Sequence, residues 1–257
     1  MSIKFIILGC GSSLGVPRID GFFGNCDPKN KKNYRTRCCA LIKSKNKNVL
    51  IDTSPDLKQQ LIKNKINNID KVFYTHHHAD QTHGINELRF FYLKNRKKID
   101  IYTNNLTKKY LLNSFGYCFK KNREYPPILQ NNSLKKKHSY KDNGKIISLK
   151  SIKVEHGNID SICYVINNKL AYASDVSKIH KKDLKSLNNL KYLVIDCLRF
   201  SPHPSHFNFD QALNLIDRVK PKKAILTNMN TDLDYNYLLK NLPKNVKPAY
   251  DGLSFNI

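Results

Sequence analysis

Residues 71–84, KVFYTHHHADQTHG, constrain this chain more than any other stretch. Val72, Phe73 and Tyr74 form a short apolar run that predicts a buried strand. The run stops at three consecutive histidines, with an aspartate two residues further on. In extended chain, residues i and i+2 point the same way, so His76 and His78 converge while His77 faces elsewhere. Asp80 continues the spacing as the chain leaves the strand. Imidazole nitrogens at about 2.0–2.1 Å, with a carboxylate oxygen beside them, are what a zinc-like cation requires. An ordinary polar loop has no need of that set at a strand end.

The 257 residues suffice for one large α/β domain with a substantial core, or for two small ones. No window of 18 or more apolar residues exists, so no membrane-spanning helix is expected. The opening MSIKFIILGCGSS has too short an apolar run for a signal peptide and reads as a first core strand entering a glycine turn. Seven cysteines, at 10, 26, 38, 39, 118, 163 and 197, are odd in number and scattered. They suggest no disulfide framework, and a reducing cytoplasm is the expected compartment.

The net charge of +25 raises the question of a nucleic-acid partner. The basic residues are 37 lysines against 8 arginines, spread through the chain with only short runs such as residues 135–137. That is a compositional bias at tolerant surface positions, so nucleic acid is a possible partner but not the favoured one. The field would still attract a small anionic substrate. A homodimer is compatible with the sequence.

Along the chain, residues 3–8 predict a strand and 9–18 a glycine-rich turn without the Gly-Lys-Ser/Thr ending of a phosphate loop. Residues 39–44 and 48–52 predict a hairpin, and Ser54-Pro55-Asp56 opens a helix to about Lys65. Residues 82–91 read as one helix, 99–103 as a strand and 106–112 as a helix. Residues 114–140 are aromatic, basic and interrupted by Pro126-Pro127, which fits either a surface connection or a lid. Strands are expected at 146–148, 151–155, 161–166, 170–173, 192–196 and 224–226. Asn208 caps a helix with apolar residues at 209, 212, 213, 215, 216 and 219. Alternating strands and helices without linker or repeat predict one α/β domain over residues 1–257.

The histidine stretch resembles the His-x-His-x-Asp-His motif of the metallo-β-lactamase superfamily, matching at His76, His78 and Asp80 but carrying Gln81 at the last position. Its extended form, Thr-His-x-His-Ala-Asp-x-Thr-His-Gly, is similar to the branch containing phosphoribosyl cyclic phosphate phosphodiesterases. The resemblance implies an αββα four-layer sandwich with metals at one edge. It implies that His156, in Glu155-His156-Gly157, supplies the third imidazole, and that Asp175, after Tyr172-Ala173-Ser174, bridges two metals. Asp52 would orient the metal loop from behind, and His206, with His203 as a competitor, would give a proton to the leaving oxygen. The last histidine of the second metal site would correspond to Asn230. Gln81 and Asn230 therefore both fall on the second metal. In some relatives, cysteines of the loop after the first strand hold a structural zinc; Cys26 has no Cys-x-x-Cys partner for one.

The implied activity is metal-dependent hydrolysis of a small cyclic phosphate or similar diester. One Zn²⁺ or Mn²⁺ would sit at the first site, with Asp80 positioning the attacking water. A second position built from amide and carboxylate oxygens suits a hard cation, or none. A metal-binding relative without turnover and a tRNA-processing nuclease are the other classes considered.

Overall fold

The computed structural model describes residues 3–121 and 123–257. Its strands are β1 Lys4–Gly9, β2 Cys39–Lys43, β3 Asn48–Ile51, β4 Lys71–Phe73, β5 Ile99–Thr103, β6 Leu129–Ser133 and β7 Lys137–Asp142. They continue as β8 Lys145–His156, β9 Ile159–Ile166, β10 Leu170–Ala173, β11 Tyr192–Asp196, β12 Lys223–Thr227, β13 Val246–Pro248 and β14 Leu253–Asn256. The helices are α1 Leu57–Lys63, α2 Ala79–Thr82, α3 Arg89–Asn95, α4 Asn105–Ser114, α5 Lys181–Leu184, α6 Phe209–Val219 and α7 Tyr235–Asn241.

These strands form two seven-stranded sheets, in the orders β14-β1-β2-β3-β4-β5-β6 and β13-β12-β11-β10-β9-β8-β7. Both are mixed. β3 through β6 run parallel, as do β10 through β13, whereas β1, β2, β8 and β9 pair antiparallel with their neighbours.

Alternation along β1 shows how the layers arise. Phe5 and Ile7 face the second sheet, while Ile6 and Leu8 face outward onto Leu57 and Leu61 of α1. Being covered on both faces, β1 to β4 read as continuous apolar runs rather than alternating ones. Between the sheets, Phe73 stacks on Tyr102 and meets the Tyr164 ring edge-on. The Tyr164 hydroxyl donates to the Tyr74 carbonyl at 2.6 Å, tying the sheets together beside the histidine loop. On the far side, α6 buries Ala212, Leu215, Ile216 and Val219. The result is the expected αββα order.

Local expectations fared unevenly. The Asn208 cap is present as a full capping box with Gln211. The single helix over 82–91 is instead broken into α2, a 3₁₀ turn at Ile85–Leu88 and α3. Gly84 sits at that break because a Cβ there would lie 1.9 Å from the Ser54 carbonyl oxygen. Residues 114–140 are in part strand rather than surface connection or lid. They supply edge strand β6 to one sheet and most of edge strand β7 to the other. The two predicted strands at 146–155 are one, the twelve-residue β8.

Candidate metal centre

Six chain segments end on one edge of the sandwich: β3 at Asp52, β4 at His76, β8 at His156, β10 at Asp175, β11 at Asp196 and β12 at Asn228. Ligand sites of open α/β sheets form where strands end in this way. His76, His78 and His156 each offer one ring nitrogen there, all within 4.8 Å of one another.

Each imidazole can be followed to its tautomer. The buried Asp52, in the left-handed backbone region at φ 66°, accepts Thr75 N–H at 2.7 Å and the Thr75 hydroxyl at 2.8 Å. With its proton committed to Asp52, the Thr75 oxygen accepts from His76 Nδ1–H at 3.0 Å. His76 Nε2 is thereby left as a bare lone pair, buried and without a partner among the described residues. An orphaned buried nitrogen carries a desolvation cost of about 1–3 kcal/mol unless something binds it.

His156 repeats the device: Nδ1 donates to the Ser205 carbonyl at 2.6 Å, leaving Nε2 to face His78 Nδ1 at 3.2 Å. Two nitrogens sharing a tetrahedral ion at 2.0–2.1 Å stand about 3.3 Å apart. Gly157, at φ 59°, allows the turn, and a Cβ on it would lie 2.8 Å from that of Ser205. Burial holds His76 well below the ordinary imidazole range and takes His156 down to about 4, aided by the neighbouring histidines. Both are therefore neutral near pH 7, the form that donates to a metal. His78 is exposed and also lowered by partial burial. His77 turns away against Tyr110, as expected of the alternating position.

The other half of the edge is built differently. Asp175 and Asp196 are both buried. His206 Nδ1 lies 2.7 Å from Asp196 Oδ2, and its ring packs 4.6 Å from that of His156. Burial opposes the His206 charge, but Asp196, Asp175 and Asp80 outweigh it and carry the imidazolium up to about 9. His206 is thus imidazolium at neutral pH, beside Asp196. Burial pushes the Asp175 carboxyl up to about 7, with the charge of Asp80 adding to it. His156, Asp175 and His206 form a second group whose ligand atoms lie within 4.8 Å.

Gln81 Nε2 donates to Asp80 at 3.1 Å and Asp175 at 3.3 Å, so its amide hydrogens, not the oxygen expected, face the carboxylates. The assignment of Asn230 to this site is corrected. Its side chain accepts the Asp232 N–H and its carbonyl takes Arg35 Nη1, away from the carboxylates. Asn228 occupies the place instead. At φ 61°, immediately after β12, it sends Nδ2 to Asp196 Oδ1 at 3.0 Å and Asp175 Oδ1 at 3.5 Å. His203 stays at the rim, its Nδ1 taking Ser205 N–H at 3.2 Å.

Asp196, Thr75 and Asn228 escaped the sequence reading. Asp196 had a signal, an acid closing a buried strand as Asp52 does. Asn228 had only the order of residues after β12, which does not reveal the turn. Cys26 packs its thiol on the Thr231 carbonyl at 3.4 Å, and all seven cysteines are free.

Residues 47–229 match the family model described as the Beta-lactamase superfamily domain. A curated relative, the octanoyltransferase of Porphyromonas gingivalis, is 27% identical over 98% of this chain, and the chain spans about half (51%) of its length. A solved structure described as a new diphosphatase from the PhnP family superposes with a TM-score of 0.87 at 27% identity, covering 99% of this chain and 98% of that one. Zinc-bound PqqB from Methylobacterium extorquens, 14% identical, covers 99% of this chain and 100% of its own with a TM-score of 0.75, a likeness of fold.

Proposed function

The chain belongs to the metallo-β-lactamase superfamily, and from that premise we propose that it is a divalent-metal-dependent hydrolase of a small anionic phosphodiester, acting as one domain over residues 1–257. One observation carries the reading: ring nitrogens of His76, His78 and His156 converge within 4.8 Å at strand ends, that of His76 without a partner among the described residues, and His206 packs against His156. The likeness to a diphosphatase points to the same class of phosphate chemistry.

His76, His78 and His156 would hold the ion; nitrogen-rich donors suit zinc better than manganese. Bound there, a divalent ion lowers the pKa of a water and polarises a phosphoryl oxygen. Asp80 lies close enough to His78, Asp175 and His206 to shift each of them, and it orients the attacking water as hydrogen-bond acceptor. His206 keeps its Nδ1 proton on Asp196 and passes the Nε2 proton to the leaving alkoxide. The +25 charge draws the anion in. Seven free, buried cysteines suit a reducing cytoplasm.

The test is metal analysis of the purified chain, followed by assay of bis(p-nitrophenyl) phosphate and a panel of cyclic phosphates. Stoichiometric zinc or manganese with saturable diester hydrolysis is expected. Bound metal without turnover of any diester would reject the hydrolase reading.

A further inference from the structure

We propose that the Gln81 and Asn228 side chains fill the second cation position with their own amide hydrogens, so that this chain takes one transition-metal ion and no second ion of any kind. The inference rests on His76, His78 and His156 being the metal site proposed above.

Three carboxylates, Asp80, Asp175 and Asp196, crowd one side of the strand-end edge, an arrangement that ordinarily calls for a cation. Here the demand is met from within. Gln81 Nε2 bridges Asp80 and Asp175, and Asn228 Nδ2 bridges Asp196 and Asp175, so each amide spans two carboxylates and Asp175 is held from both sides. The His206 ring nitrogen completes Asp196. Both amide residues are buried, at 0% and 1% exposure, and neither is free to swing out. The Gln81 backbone carbonyl accepts Thr53 N–H at 2.8 Å. Asn228 is pinned between Thr227, whose carbonyl takes Cys197 N–H, and Met229, whose N–H binds the Cys10 carbonyl.

The orientation of Gln81 has a cost that identifies its cause. Its Oε1 is buried without a partner. Turning Oε1 inward would set a third oxygen against two carboxylates, which is worse than one orphaned acceptor. A hard cation would reverse that preference by coordinating Oε1, so the two arrangements are mutually exclusive.

The test titrates metal-free protein calorimetrically with Zn²⁺ and then Mn²⁺ or Mg²⁺, and follows melting temperature. Neither readout depends on turnover. Wild type should take one Zn²⁺ and then show neither heat nor further stabilisation with a hard ion. Gln81→His with Asn228→His should take two Zn²⁺. Gln81→Glu, nearly isosteric, removes the donor and adds a carboxylate; it should gain a Mn²⁺ site and a rise in melting temperature that wild type lacks. A second ion in wild type overturns the proposal, as does a single ion in both variants. Wild type binding no ion contradicts the three-histidine site itself, and the proposal falls with it. One ion in wild type and two in either variant, without diester turnover, rejects the hydrolase reading and leaves this one standing.

Discussion

The two halves of the strand-end edge solve the same problem in opposite ways. Around His76, His78 and His156, neighbouring oxygens fix one nitrogen of two of the rings; the opposite nitrogen of His76 has no partner among the described residues, and that of His156 faces only the ring nitrogen of His78. Around Asp175 and Asp196, the carboxylates are bridged by Gln81, Asn228 and His206. Both halves stand on equally buried strand ends of one sandwich, so the difference is one of side chains and not of scaffold. A ring nitrogen held ready and left unpaired points to a ligand; carboxylates already bridged by amide hydrogens need none.

Breaking the open half should have the largest effect. His76→Ala or His156→Ala leaves two imidazoles, and tight metal binding should be lost together with diester hydrolysis. Wild-type zinc content in either variant would refute the assignment. Next comes the boundary between the halves. His206→Ala should retain its metal yet lose about 10²–10⁴-fold in turnover of substrates with poor leaving groups. A p-nitrophenyl ester, whose leaving group needs no proton, should be spared; equal losses on both would remove His206 from the role of acid.

A smaller loss is expected behind the open half. Asp52→Asn replaces one acceptor of the Thr75 donors by an amide and frees the His76 tautomer. Metal affinity should weaken about 10–100-fold without loss of the fold. Unchanged affinity would show that Asp52 only shapes the turn.

The smallest effect sharpens the closed half through pH. A histidine whose folded pKa is raised to about 9 contributes stability that is complete below its ordinary value of 6.5 and is lost as pH rises through 9. Asp175, at about 7, and His156, at about 4, titrate lower, so the part of the loss between pH 7.5 and 9.5 that disappears in His206→Gln belongs to His206. Melting of the metal-free wild type should fall across it by several degrees more than that of His206→Gln. Parallel curves would mean that the Asp196 pair does not hold the proton.

Much of the fold was legible because its signals are local and repeated. Apolar runs stopping at Asp52, His76, Asp175 and Asp196 mark strand ends, and Asn208 with Gln211 marks a helix start. His76, His78, His156, Asp175 and His206 could be read because the resemblance fixes their order and the structure brings them to one edge. What could not be read depends on tertiary geometry. The two-residue shift from Asn230 to Asn228 depends on one left-handed residue after β12. The Thr75 relay depends on a hydroxyl whose partner lies on another strand. The edge strands β6 and β7 lie in polar, lysine-rich sequence whose pairing is set by β5 and β8 rather than by its own apolar pattern.

The most direct test of the asymmetry is anomalous diffraction at the zinc edge from crystals of the zinc-loaded chain. One peak is expected, about 2.0–2.1 Å from His76 Nε2, His78 Nδ1 and His156 Nε2, with no density between Asp80 and Asp175. A peak between those carboxylates, or zinc on the cysteines with the three histidines bare, would contradict it.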